Sequence, residues 1–325
     1  MQIILDTRGL HFSKRNKCFL IESESMQRII HPSKVGSIVV TMPCRISSPA
    51  LLLAAENQIP VVFCNAAGMP EARVWSSRFL NISTLRRMQY RFASTQRAAV
   101  WACRLIKLKI DAQVSNMMYI ADRKSVLAPE VHKAKLEIQQ QMHKIDLPMA
   151  QPESSLNKKH ILFVEAFAAS RYWSIIGSKL PEPYTFANRS KRHATDPYNI
   201  CTNYLYGMLR NHTETAVLSA GLDPALGILH RDGYQMPSLV FDLMEPFRPI
   251  TDRILLQSVL VSTLPVNLFE TDKKGISLSK QGRKTLISMF NQALNTPIKY
   301  CNRVSHMKNH ILNEARLFTE EIKKA

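Results

Sequence analysis

Short apolar runs divided by polar and turn residues fill the first part of the chain. Gln2–Leu5, Cys18–Ile21, Ser37–Thr41, Ile59–Cys64 and Arg73–Trp75 are β-prone and too short for stable helices. One helical signal interrupts them. Ser48-Pro49 precedes Ala50–Glu56, placing Ser at a cap and Pro at the first helical position. A small β-rich domain over residues 1–80, carrying one helix, is predicted.

The pattern then changes. No glycine occurs between Gly68 and Gly177, and no proline between Pro70 and Pro129. So long a stretch without either breaker predicts helices. On a helical wheel spanning residues 85–110, Leu85, Met88, Phe92, Ala99, Cys103, Ile106 and Ile110 share one side. Arg86, Arg97 and Arg104 gather on another, and Arg87, Arg91 and Lys109 on a third. This predicts one amphipathic helix with a basic outer face. From Ala72 to Ile110 there are nine Lys/Arg residues and no Asp or Glu. A solvated face ordinarily mixes signs to gain pairs one turn apart, so a single-sign face points to a phosphate track. Trp75, Tyr90 and Trp101 lie among these charges and, at this spacing, read as core residues rather than base-stacking platforms.

Further helices are predicted at Pro129–Ile145, His160–Ile176, Pro197–Ala220, Ser238–Glu245, Thr251–Val261, Lys280–Leu294 and Arg303–Glu321. Asp196-Pro197 opens one of them and Gly221 closes it. The fold class expected is α+β: a β-rich N-terminal domain, then an all-helical domain over residues 81–325.

Charge narrows the function. Lys and Arg number 43 against 25 Asp and Glu in 325 residues, a net charge of +18. That balance argues for a polyanionic partner. The absence of Gly-x-Gly-x-x-Gly and Walker loops removes the main support for a nucleotide cofactor. The six cysteines form no Cys-x-x-Cys pair, which reads as reduced thiols in a cytoplasmic protein. No apolar run reaches the length of a membrane span, and no signal peptide is expected.

Three acids and one histidine carry the chemistry. Glu165 sits inside Ile161–Ala169, an apolar helical stretch where an unpaired carboxylate costs several kcal/mol. It needs a cation, and Arg171 would supply a structural one. Asp242 and Glu245 are spaced i,i+3 within another apolar helix, with Arg248 and Arg253 as available partners. Pro246 ends that helix and aims Glu245 at its terminus. His230 closes the preceding loop, Gly227–Gly233. Carboxylates with one imidazole suit Mg²⁺ or Mn²⁺ better than zinc. The basic loop Asn188–His193 lies between two helices.

Four blocks in order carry a resemblance. They are Glu165–Trp173, Asp196-Pro197-Tyr198-Asn199 with Asn203-Tyr204, Gly221–His230, and Ser238–Pro249. Together they resemble the CRISPR-associated spacer-acquisition integrases, the Cas one family. The resemblance implies Glu165, His230 and Glu245 as metal ligands, with Asp242 supporting. Phe167 departs from it, standing where the family often has a smaller residue. A homodimer that binds a small companion adaptation protein and grips duplex DNA is also implied, with the β-rich domain serving dimerisation and docking.

On both grounds the expected activity is metal-dependent phosphoryl transfer on double-stranded DNA. In integration the attacking group is a DNA 3′-hydroxyl; in simple nuclease action it is water. Arg171, Arg189, Lys191 and Arg192 are expected near the scissile phosphate. Arg86, Arg87, Arg91, Arg97, Arg104 and Lys109 are expected along the duplex. A general DNA nuclease and a non-catalytic DNA-binding scaffold remain as rivals.

Overall fold

The computed structural model describes residues 2–65, 70–74, 83–123, 128–150, 158–191, 193–230, 233–234, 236–265, 267–272 and 275–324. Trp75 and Arg192 lie outside them. Contacts divide the chain into two compact units, Met1–Ser83 and Thr84–Ala325.

The first unit holds two sheets and one helix. In one sheet, β1 (Gln2–Leu5), β5 (Ser37–Val40) and β7 (Val61–Cys64) run parallel, and β8 (Pro70–Val74) pairs antiparallel with β7. The other has the order β4-β3-β2-β6: Met26–Ile30, Cys18–Ser23, His11–Arg15 and Arg45–Ile46. Leu5, Phe12, Phe19, Ile38 and Val61 are fully buried in one core, with Phe12 stacked on Phe19 at 5.3 Å. The helix α1 (Ser48–Glu56) adds Ala50, Leu53 and Ala54 to it.

Strands β2, β4 and β6 are additions to the predicted set. His11–Arg15 buries only Phe12, and Met26–Ile30 buries only Ile30, so neither has an apolar run to announce it. A tight turn creates the β2–β3 pairing. Asn16 and Lys17 both take positive φ, 47° and 61°, the geometry of a two-residue hairpin whose twist matches its strands.

The second unit is mainly helical: α2 (Ser83–Ala93), α3 (Gln96–Arg123), α4 (Ala128–Ala150), α5 (Lys158–Lys179), α6 (Pro197–Ser219), α7 (Ser238–Met244), α8 (Arg248–Leu260), α9 (Lys280–Leu294) and α10 (Met307–Lys323). Helix α3 packs against α4, α5 and α8, and α6 against α7, α8, α9 and α10. Asp196 caps α6 by accepting from Asn199 N at 2.8 Å. Gly221, at φ 79°, ends it: Gly221 N donates to Leu218 O and Leu222 N to Val217 O.

Two sequence expectations are corrected here. The second unit is not all-helical. It carries the antiparallel hairpins β9–β10 (Phe269–Asp272, Gly275–Leu278) and β11–β12 (Pro297–Tyr300, Arg303–His306). The second hairpin takes the start of the predicted helix Arg303–Glu321, because Cys301 and Asn302 adopt positive φ and fold the chain back. Tyr300 is held against Phe247, at 5.1 Å.

Nor are residues 85–110 one helix. α2 and α3 are separated at Ser94-Thr95 without glycine or proline. The Ser94 and Thr95 hydroxyls donate to Arg91 O and Phe92 O, closing α2. Thr95 Oγ1 then accepts from Ala98 N and caps α3. The break shifts the helical phase, so α2 and α3 present independent faces.

Candidate active site

Packed by α4, α5 and α8, α3 buries a wide arc that takes in Ala102, Ile106, Lys109, Gln113 and Asn116 as well as the expected apolar stripe. Lys109 is therefore not on a basic outer face, as the single-helix reading expected. Its side chain is 6 % exposed and its ammonium lies between two carboxylates, Glu165 of α5 and Glu245. The distance to Glu245 Oε2 is 2.6 Å. Lys109 is the cation that Glu165 required; Arg171 instead pairs with Glu137 at 2.9 Å and sits over the Phe167 ring.

Glu245 opens a short helical turn, Glu245–Phe247, where Pro246 interrupts α7. It is 4 % exposed. Arg248 Nη2 lies 3.2 Å from its Oε1. Burial pushes the Glu245 carboxyl up, but Arg248, Lys109 and His230 outweigh it and bring it down to about 2. Glu245 is thus a stable carboxylate in a nearly dry place. Its Oε2 is held by the Lys109 ammonium.

Asp242 lies across the His230 ring from Glu245 and organises the loop after α6. Its carboxylate accepts from Ile228 N, Leu229 N at 3.1 Å and His230 N at 3.0 Å. It also lies 2.7 Å from His230 Nδ1. A ring whose proton is held there presents the Nε2 lone pair towards Glu245 Oε1, 3.7 Å away. Glu165 and Glu245, far apart in sequence, thus meet at the Lys109 ammonium, and His230 approaches the other oxygen of Glu245. Among the described residues no three His, Cys, Asp or Glu side chains are gathered tightly enough to hold a metal ion as they stand.

The site opens into a cleft of about 520 Å³, lined in part by Lys109, Glu165, Arg189, Lys191 and Arg248. Its small residues, Ala166, Ala169, Ser170 and Ser174, leave Glu165 accessible from α5. Arg189 is fixed, donating to Asn199 Oδ1 at 2.8 Å and Asn203 Oδ1 at 2.7 Å. Tyr206 supports both Arg189 and Arg248 on its ring, at 5.4 and 5.3 Å, while its hydroxyl donates to Asp252. The block Asp196–Tyr204 therefore pins the basic loop to α6. Lys191 is held below its ordinary range by desolvation in the cleft wall and then by Arg248.

The remaining basic residues divide between two helices. Arg87 and Arg91 of α2 are exposed and Arg86 is half-buried. On α3, Arg97 pairs with Glu321 at 3.1 Å and Arg104 forms a pair with Glu314, both acids coming from α10. Arg253, an expected partner of the acids, bonds to Asn116 and Ser115 instead. Sequence reasoning missed the pairing role of Lys109 and the buried Gln89 of α2, which donates to Asp223 O and Leu226 O. The readable signal for Lys109 was its place in a helically spaced polar set, Lys109, Gln113 and Asn116, beside the apolar stripe of α3.

Comparison with known proteins agrees with this architecture. A casposase bound to an integration product matches at TM-score 0.82 and 19 % identity, over all of this chain and 91 % of that one. A Cas1 protein of Thermotoga maritima matches at 0.79 and 20 % identity, over 99 % and 97 %. A CRISPR-associated endonuclease Cas1 of Archaeoglobus fulgidus is 29 % identical over 97 % of this chain and 94 % of its own length. That of Korarchaeum cryptofilum is 30 % identical over 78 % and 76 %. Residues 3–292 match the family model described as CRISPR associated protein Cas1, and the chain belongs to that family.

Proposed function

We propose that this chain is a divalent-metal-dependent DNA endonuclease and integrase of CRISPR adaptation. It would insert a short duplex into a repeat by attack of a DNA 3′-hydroxyl on a phosphodiester. The observation that carries this reading is that Glu165 and Glu245 share one cation, Lys109, at the wall of a basic cleft, with His230 Nε2 3.7 Å from Glu245 Oε1. Two carboxylates and one imidazole nitrogen are a donor set for Mg²⁺ or Mn²⁺. Glu245 Oε2, whose one close partner is the Lys109 ammonium, could turn to an ion that took that position. Glu165, Glu245 and His230 would hold the ion. When bound, it polarises the scissile phosphate and favours the deprotonated form of the attacking hydroxyl.

The protein's own groups do the remaining work. Asp242 holds the Nδ1 side of His230 and so fixes which nitrogen faces the site. Arg189, Lys191 and Arg248 supply positive charge where a phosphodiester would lie. Lys109 offsets the repulsion between the two carboxylates. The metal site alone does not separate joining from cleavage; positioning of a strand end does.

The partners proposed are double-stranded DNA, a second copy of the chain and a small companion adaptation protein. The outer strand β4 leaves Met26 and Ile29 about half exposed, a surface suited to protein docking in the first unit. One fold neighbour, at TM-score 0.75 and 18 % identity, is a Cas6-RT-Cas1–Cas2 complex. No described helix is long and apolar enough to cross a membrane.

The test is a labelled duplex with free 3′-hydroxyls incubated with a supercoiled repeat plasmid and Mg²⁺ or Mn²⁺. Joined product is expected. Cleavage without joining would leave a general nuclease, and neither outcome a DNA-binding scaffold.

A further inference from the structure

Helix α2 inverts the usual preference at two adjacent positions. Gln89 is fully buried, while Tyr90, expected in the core, is 73 % exposed. An amide leaves water at little cost only where its hydrogen bonds are replaced. Those of Gln89 go to a single loop. Its Nε2 donates to Asp223 O at 3.0 Å and to Leu226 O at 3.2 Å. Its Oε1 accepts from Asp223 N at 2.9 Å. Donor and acceptor are both engaged, which neither a carboxylate nor a hydrocarbon chain of that length can reproduce.

The loop so held ends at His230, and it is trapped between α2 and α7. Leu239 N donates to Pro224 O at 3.1 Å. Gly227 lies so close to α7 that an added Cβ would stand 2.6 Å from the Ser238 Cβ. From Ile228 onward the amides belong to Asp242. Only Gly227 therefore separates the last carbonyl held by Gln89 from the first amide held by Asp242. Movement at Leu226 passes to the amides that Asp242 organises, and with them to the ring it holds.

We propose that Gln89 is a positioning residue for His230. It sets the loop so that Asp242 meets three successive amides and the imidazole Nδ1 together, leaving Nε2 towards Glu245. The inference deepens the proposed metal site and rests on that reading where metal binding and strand transfer are measured.

The experiment uses the full chain and Gln89→Met, which keeps the side-chain length but removes the amide. In metal-free protein the ¹⁵N-imidazole signal of His230, assigned by its loss in His230→Ala, should shift or broaden in Gln89→Met. Signals of histidines away from the loop should stay. Mn²⁺ affinity without DNA should fall about tenfold. The kcat of strand transfer should fall by about the same factor, with KM for the duplex unchanged. In the His230→Ala background, Gln89→Met should cost nothing further in either measurement. Gln89→Glu keeps the bond from Asp223 N but loses both donations, and should give the same His230 signature. An unaltered His230 signal in both Gln89 variants, or equal losses with and without the His230 side chain, overturns the proposal. Wild-type protein that binds no Mn²⁺, or His230→Ala that binds it as tightly, removes the metal reading instead. The His230 signal of the metal-free protein then decides the role of Gln89 by itself.

Discussion

Helices α2 and α3 look alike in sequence, both basic and neither containing an acid before Asp111, yet they use their charges in opposite ways. The α2 cations Arg87 and Arg91 are exposed, and Arg86 borders a cavity. The α3 cations are committed: Arg97 and Arg104 to acids of α10, and Lys109 to the two site carboxylates. The lesson is electrostatic. A tract of one sign says that charges are unbalanced locally, not that they are free, because their counter-charges can come from the far end of the chain. The separation of Arg104 from Glu314 is 210 residues.

The largest effects should come from the committed end of α3. Glu165→Ala, His230→Ala and Glu245→Ala should each lower divalent-dependent strand transfer by at least about a hundredfold, with DNA affinity retained. Wild-type rates in any one of them would remove it from the ligand set. Asp242→Asn should be milder in the same assay, since it acts by holding His230.

Lys109→Met sharpens the contrast with α2. It strips the cation from a buried carboxylate pair and should destabilise the metal-free protein by about 3–5 kcal/mol. Thermal unfolding with a chelator reads the loss, and Mn²⁺ should restore much of it. A variant as stable as the wild type would place Lys109 outside the site.

Salt dependence then separates the two helices directly. Arg87→Ala with Arg91→Ala should weaken binding to all duplex sequences alike. The slope of log K against log salt should become shallower by about 0.9 for each phosphate that is no longer neutralised. Arg97→Ala with Arg104→Ala should leave that slope unchanged but lower the unfolding midpoint. Equal slopes for both pairs would erase the distinction.

The smallest effect is a pH dependence at the Arg97 pair. Burial raises Glu321, but Arg97 and Lys324 overcome it, and its carboxyl ends below the ordinary 4.5. A lowered native value contributes stability above 4.5 that is lost as pH falls through the native value. Acid titration of unfolding should show a slight decline there, which Arg97→Gln reduces. The pair is exposed, so the difference is small.

Some of this protein was settled by local order. The β-rich start followed by helices is visible in run lengths and in the absence of glycine and proline. The ends of α6 are written in Asp196-Pro197 and Gly221, because capping depends on residues within one turn. Glu165 and Glu245 stood out because a carboxylate in an apolar stretch demands a counter-charge wherever the chain goes. Other features belong to the tertiary structure alone. The break at Ser94-Thr95 depends on hydroxyl groups that an unbroken helix would tolerate, and Lys109 is buried because α4, α5 and α8 cover a wider arc of α3 than its apolar stripe marks. The hairpin β11–β12 replaced a predicted helical start through two positive-φ residues, neither of them glycine. Which cation answers Glu165, and whether Tyr90 packs inside or faces solvent, follow from how helices meet. Spacing within a helix names the side a residue faces. It cannot name what stands opposite, because that neighbour arrives from another part of the chain.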